Sequence, residues 1–240
     1  MKLYRALQSQ GFGSRKGCVA QVRAGAVAVN GVVCDDPEAE VDPIGLEMTL
    51  DGVTWLYREK AYVVMHKPAG HECSHHPSHH ASVFTLLPPV LVARGLQCVG
   101  RLDQDTSGLL LFSDDGQFIH RMISPKKGVA KVYRAVCAEA VSDAMLAALR
   151  AGVQLNDEPA PIAVLACKKL DENTLRLSLA EGKYHQVKRM IAAAGNHVDS
   201  LHREAIGNYA LPADLPPGAW RWLEVDDLKQ LEQPWPSATF

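Results

Sequence analysis

Between Gly100 and Phe112 the chain reads Gly-Arg-Leu-Asp-Gln-Asp-Thr-Ser-Gly-Leu-Leu-Leu-Phe. Four successive apolar residues at Leu109 to Phe112 suit a strand buried on both faces, because side chains alternate across a sheet and only a sandwiched strand hides both sets. The fold must therefore supply a covering layer on each side. The polar loop before this strand carries Arg101, Asp103, Asp105, Thr106 and Ser107, so a carboxylate there is partly desolvated and rigidly held. Such a group suits work as a nucleophile or base, provided that a nearby cation keeps it ionised. Asp and Thr before a strand also serve as turn formers bonded to their own backbone, and the local pattern leaves both readings open.

The rest of the chain shows what surrounds this strand. Its 240 residues exceed one usual domain, and one small plus one larger domain fit the length. A short helix over Leu3 to Gln10 stops at Gly11, and Ser14 caps a second helix that ends near Gly25. Asn30-Gly31 between Ala28-Val29 and Val32-Val33 is a strong hairpin signal. This stretch resembles the S4-type RNA-binding fold, and the resemblance makes Arg15, Lys16 and Arg23 phosphate contacts. From Tyr62 onward, strands are expected at Tyr62 to Met65, Gly108 to Ser113, Lys131 to Ala138, Ile162 to Lys168 and Thr174 to Ala180. Helices are expected over Gly116 to Ile123, from the Ser142 cap to Gly152, and over His185 to Ala194. Strand runs mixed with helices, without regular alternation, predict an α+β domain around a mostly antiparallel mixed sheet. The expected division is residues 1–57 as the S4-like module, 58–232 as the larger domain, and 233–240 as a loose tail with two prolines.

Charge narrows the partners. Lys plus Arg number 25 and Asp plus Glu 27, so the net charge of −2 argues against wrapping a polyanion with the whole surface. The charges are nevertheless segregated. Met1 to Cys34 has five bases and no acid, Asp35 to Asp51 has seven acids and no base, and His120 to Arg134 has five bases and no acid. Two basic patches suit a phosphate backbone, although charge runs are also often plain solvated faces. Apolar runs stop far short of the roughly 20 residues that span a bilayer, so no membrane partner and a cytoplasmic location are expected. Six scattered cysteines without a C-x-x-C pair indicate reduced thiols. His71 to His80 holds five histidines and Cys73, but their spacing fits no zinc pattern and no metal site is assigned.

Several motifs in order carry a family resemblance. Gly100-Arg101-Leu102-Asp103, then Asp105 to Leu111 and Asp114-Asp115-Gly116, resemble the signature of RsuA/RluB-type pseudouridine synthases. Lys131-Val132-Tyr133, Glu181 to Met190 and His66-Lys67-Pro68-Ala69-Gly70 resemble further motifs of that family. Tyr184 to Met190 and Leu201 to Gly207 are similar to the branch acting on small-subunit (16S) rRNA.

The resemblance implies a cofactor-independent conversion of uridine to pseudouridine in 16S rRNA, at a uridine 516-type site, on naked rRNA or a small-subunit assembly intermediate, by a monomer. It makes Asp103 the catalytic carboxylate, attacking C1′ or C6 or removing the C2′ proton. Tyr133 becomes the ring stacked on the target base, and Lys188 the cation paired with Asp103. Helix periodicity agrees in part. Lys188 stands at the edge of the Val187, Met190, Ile191, Ala194 stripe, whereas Arg189 points nearly opposite it, toward a phosphate. Arg101 fills the gap left by the flipped uridine, or pairs with Asp105 at the surface. Thr106, Lys67 and Lys131 complete the implied RNA contacts, and Tyr133 read without the motif is a core aromatic. Three other readings stay open: the same reaction on 23S rRNA, a non-catalytic S4-type RNA-binding or ribosome-assembly protein, and a glycosidase with paired carboxylates. Aromatic residues at 6% are few for sugar platforms.

Overall fold

The computed structural model describes residues 1–234. Its elements run α1 (Leu3–Gln10), α2 (Arg15–Arg23), β1 (Val27–Val29), β2 (Val32–Val33), β3 (Glu47–Leu50), β4 (Val53–Leu56), β5 (Tyr62–Lys67), β6 (His71–Glu72), β7 (Ala81–Ser82) and α3 (Pro89–Ala93). Then follow β8 (Gln97–Cys98), β9 (Ser107–Ser113), α4 (Gly116–Ile123), β10 (Lys131–Cys137), α5 (Asp143–Ala151), β11 (Ala166–Lys169), β12 (Thr174–Leu179), α6 (Gln186–Ala193), β13 (Val198–Ile206), β14 (Tyr209–Ala210), β15 (Trp220–Trp222) and α7 (Val225–Glu232). They gather into two compact units: residues 1–61, 87–97 and 113–115, and residues 62–86, 98–112 and 116 onward. Of the tail expected at 233–240, residues 235–240 lie outside the described residues.

In the first unit, α1 buries Leu3, Ala6, Leu7 and Gln10, one stripe at helical spacing, and Gly11 ends it with φ 93°. Ser14 Oγ accepts the Gly17 N–H at 3.2 Å and starts α2, which buries Cys18 and Val22 and leaves Arg15, Lys16 and Arg23 exposed. Asn30 and Gly31 take φ 48° and 82°, the positive pair that a two-residue hairpin turn needs between β1 and β2. The sheet runs β2-β1-β3-β4 and closes over Leu3, Leu7, Val22, Val27 and Met48. Arg94, just after α3, is anchored in this unit: its guanidinium donates to Asp114 Oδ2, Gln10 Oε1 and Arg58 O, each at 2.7 Å.

The second unit is built on a sheet ordered β11-β12-β10-β13-β9-β5-β15, with β14 beside β13 and β8 beside β9. The pairs β10–β12, β10–β13, β11–β12 and β15–β5 are antiparallel, and β13–β9 is parallel. The architecture is α+β with antiparallel pairing dominant, as the mixed pattern of runs implied. Leu109 to Phe112 are fully buried in β9. Leu109 and Leu111 join Phe118, Met122, Ile206 and Leu223 in one core, while Phe112 packs edge-on against Phe84. Both faces are covered, so this strand is a fixed base for the loop preceding it.

One expected strand is shorter than its apolar run. Ile162 to Lys168 forms strand only from Ala166, and Ile162 instead exchanges hydrogen bonds with Val153 in an isolated bridge. Pro159 and Pro161 lack the N–H that a ladder requires, and Val164 N–H turns back to Leu149 O at 3.0 Å. No helix of the described residues is long and apolar enough to cross a membrane.

The close approach of β9 to β13 requires a glycine. Gly108 pairs with Arg203 at φ 111°, and a Cβ there would stand 2.3 Å from Arg203 O and 2.6 Å from its N. Both atoms are backbone and neither yields cheaply. Gly108→Ala is therefore expected to cost about 3 kcal/mol or more; a urea-unfolding midpoint equal to wild type would contradict this packing.

Candidate active site

The loop before β9 takes its shape from a buried cation. Lys67, the last residue of β5, is fully buried, and its Nζ donates to Thr106 O at 2.8 Å, Pro68 O and Asp103 O at 3.1 Å, and Gln104 O at 3.2 Å. Three of these carbonyls belong to the Asp103 loop, so one ammonium gathers the turn from inside. Burial pulls the Lys67 amine below its ordinary value, against the pull of Cys73, Asp105 and Asp103. The loop is further held by Gly70 N–H to Gln104 O at 2.8 Å, Thr106 N–H to Asp103 O at 3.1 Å and Leu102 N–H to Cys73 Sγ at 3.5 Å. This corrects the expectation that Lys67 meets RNA: a side chain with no exposed surface and four carbonyl partners organises the loop instead.

The Asp103 carboxylate leaves this clamp toward α6. Its Oδ2 lies 3.4 Å from Lys188 Nζ and its Oδ1 lies 3.4 Å from His185 Nε2. Lys188 is nearer to Asp105, donating to its Oδ1 at 2.6 Å, so one ammonium bridges two carboxylates. Burial pushes Asp105 up, but the Lys188 hydrogen bond and charge outweigh it and leave the carboxyl below its ordinary value. The expected Lys188–Asp103 pairing is present, with Asp105 as a second partner. Asp105 is thereby taken from Arg101, which is exposed and has no hydrogen-bond or ion-pair partner among the described residues. Arg189 turns away, donates to Tyr184 O at 3.1 Å and pairs with Asp157.

His185 is a site residue that the sequence motif contained but that periodicity did not single out. It starts α6 with φ 47°, a left-handed conformation costly for a residue with a Cβ, of order 1–3 kcal/mol. The Tyr184 ring stacks on its imidazole at 3.9 Å. A strained residue facing a carboxylate is a sequence-level blind spot, since nothing local distinguishes it from an ordinary helix start.

Tyr133, on β10, is buried and lines a cavity of about 60 Å³ together with Asp103, Thr106, His185 and Leu201. The Thr106 Oγ1 is buried in the same place without a hydrogen-bond partner among the described residues. Lys131 is also buried, with Nζ donating to Met122 O at 3.2 Å, so it does not stand on an exposed basic face as expected. It belongs to the sheet interior because β10 alternates Lys131, Tyr133 and Ala135 inward and Arg134 outward. A wider, open depression of about 560 Å³ in this unit is lined by Lys127, Leu165, Ser178 and Glu232, and none of the motif carboxylates reaches it.

The histidine-rich segment has its own explanation. Glu72 accepts the backbone N–H groups of Ser78, His79 and His80, each at 2.9 Å, and those bonds pull its carboxyl down to about 2. The segment is folded around a carboxylate. No cluster of three metal-ligating side chains stands among the described residues.

These features meet a family. A family model described as RNA pseudouridylate synthase matches residues 61–193, and an S4 domain model matches residues 1–44. The chain is 37% identical over 238 residues to an uncharacterized RNA pseudouridine synthase of Bacillus subtilis (strain 168), covering 98% of this chain and 99% of that one. The chain belongs to the RNA pseudouridylate synthase family. It is also 38% identical over 226 residues to the ribosomal small subunit pseudouridine synthase A of Vibrio vulnificus (strain CMCP6), covering 90% of this chain and 92% of that one. The crystal structure of a pseudouridylate synthase superposes with a TM-score of 0.68 at 31% identity, covering 96% and 99% of the two chains.

Lys67 generates a prediction for this synthase. Lys67→Met leaves four carbonyls without their cation and frees the loop; it is expected to lose about 3 kcal/mol of stability and at least ~100-fold in single-turnover rate. A variant that folds and isomerises uridine at the wild-type rate would refute the clamp.

Proposed function

We propose that this synthase converts one uridine of small-subunit (16S) rRNA to pseudouridine, a uridine 516-type site, with Asp103 as the catalytic carboxylate. The observation that carries the reading is the placement of the Asp103 carboxylate between Lys188 and His185, at a cavity shared with the buried Tyr133. The small-subunit assignment is supported by the 35–38% identity to synthases that bear that name. In the reaction the C1′–N1 bond breaks, a C1′–C5 bond forms, and a proton leaves C5 while N1 gains one. The isomerisation has no redox change and no co-substrate.

Each side chain has a chemical part in this scheme. Lys188 stands beside the Asp103 carboxylate, which attacks C1′ or C6 or removes the C2′ proton. Tyr133 holds the extruded uracil by stacking, and the unpartnered Thr106 hydroxyl offers it a hydrogen bond. Arg101, exposed and unpaired, enters the stack where the uridine left. Arg15, Lys16 and Arg23 on α2 contact phosphates, with residues 1–57 as the RNA-binding module and 58–232 as the catalytic domain. Arg189 joins them once RNA displaces its Asp157 contact. The protein acts as a monomer in the cytoplasm.

Pseudouridine mapping in rRNA from cells with and without the gene tests this reading. Loss of one 16S site, restored by wild type and not by Asp103→Asn, is the expected result. A lost 23S site would move the substrate, and an unchanged map with intact RNA binding would favour a non-catalytic S4-type binder. Lys188→Met is expected to lower turnover by about 100-fold or more while RNA affinity changes little. Equal losses in rate and affinity would place Lys188 on the RNA instead.

A further inference from the structure

A second cavity, of about 80 Å³, is also bordered by Tyr133 and is lined by Gly100, Arg101, Ile123, Lys131 and Arg203. Two of these are cations removed from solvent, with Arg203 3% exposed and Lys131 8% exposed. Arg203 Nε donates to Leu109 O at 2.8 Å, but its Nη2 is buried with no hydrogen-bond partner among the described residues. Lys131 Nζ has one carbonyl, Met122 O, at 3.2 Å. No carboxylate pairs with either cation among the described residues, and none lines the cavity. The nearest acid in sequence, Glu204, projects to the opposite face of β13, where Arg176 at 2.7 Å and Arg134 at 3.5 Å hold it.

The sheet register explains why the two cations share this space. Tyr133 on β10 is opposite Arg203 on β13, and Lys131 is two residues along β10 on the same face. The pair therefore borders the tyrosine ring within one sheet face. Burying two like charges without an acid costs several kcal/mol. Burial, with Arg203 alongside, lowers the Lys131 amine to about 8. A fold keeps such a pair at small cost only if a negative charge joins it.

We infer that the Lys131–Arg203 cavity is an oxyanion subsite for the RNA substrate, occupied when the target nucleotide enters against Tyr133. This rests on the reading of the chain as a uridine isomerase with Tyr133 beside the base. One chemistry, an anionic oxygen of the RNA, has two sources. The first is a phosphate next to the target nucleotide. The second is a uracil carbonyl oxygen: when C1′–N1 breaks, the electron pair stays with N1 and spreads to O2 and O4, and it is discharged when N1 is replaced by C5 at C1′ and takes up a proton. Addition at C6 likewise places charge on a uracil carbonyl oxygen, O4, so the subsite serves attack at either C1′ or C6.

The test uses the full-length protein, with Lys131→Met, which keeps the apolar stem, and Lys131→Arg, which keeps the charge. Thermal melting first checks that each folds. The substrate is a 16S rRNA transcript carrying tritium at uridine C5, whose release reports the isomerisation. Lys131→Met is expected to lose ~100-fold or more and Lys131→Arg to keep most of the activity. If the charge is on the uracil, the loss lies in the single-turnover rate at saturating RNA and the affinity is unchanged. If it is on a phosphate, the loss lies in affinity and the salt slope falls by about one. A folded Lys131→Met that binds and isomerises the transcript within about 2-fold of wild type overturns the subsite. An inactive wild type, or a fully active Asp103→Asn, overturns the uridine-isomerase reading and the subsite with it.

Discussion

The site depends on one buried ammonium. Lys67 has no exposed surface and gives its donors to the carbonyls of Pro68, Asp103, Gln104 and Thr106. A loop of six or seven residues ordinarily carries a large conformational entropy, and its backbone groups need partners when removed from water. A cation in the centre satisfies several carbonyls together and leaves few loop shapes available. The Asp103 carboxylate then points away from the clamp toward α6 as a consequence of where its own carbonyl is fixed. Lys67 acts as a positioning residue: it binds the backbone of Asp103 and has no access to a substrate.

The clamp works because its supports are rigid. β9 is buried along its length, Gly108 lets it lie against Arg203, and β5 delivers Lys67 from the neighbouring position in the sheet. On the opposite side, α6 brings His185 and Lys188 to Asp103 while Val187, Met190 and Ile191 are buried. The charges form a graded set. Asp103 and Asp105 share Lys188, Glu204 is held by Arg134 and Arg176 on the far face, and Lys131 and Arg203 have no acid. In the proposed subsite an RNA substrate would supply what the last pair lacks, so that binding and chemistry draw on the same uncompensated charge.

Much of this was legible in the chain because local rules agreed with the fold. Ser14 and Ser142 cap helices where the sequence placed them, Asn30-Gly31 turns the hairpin, and the spans Leu3 to Gln10 and Gly116 to Ile123 are helices end to end. The apolar run after Gly108 announced a strand covered on both faces. The failures share a cause, which is that burial of a polar group is decided by tertiary contacts. Lys67 looks like an RNA contact in a linear motif yet is wholly inside, and Lys131 borders an interior cavity where an exposed basic face was expected. His185 is left-handed at a helix start that nothing local distinguishes, and Asp105 shares Lys188, which lies 83 residues away in sequence. Arg203 sits in a segment read only for its similarity to a family branch, and its missing partner appears only when the register of β10 and β13 is known.

The central claim is that the Asp103 carboxylate performs the isomerisation while the rest of the loop holds it in place. Release of tritium from a 16S rRNA transcript labelled at uridine C5, followed with purified protein under single-turnover conditions, tests it directly, because rejoining the uracil through C5 expels that proton. The account predicts one equivalent of tritium per target uridine for wild type, and no release above background for Asp103→Asn although the variant binds the transcript with unchanged affinity. Release by Asp103→Asn at the wild-type rate would contradict it.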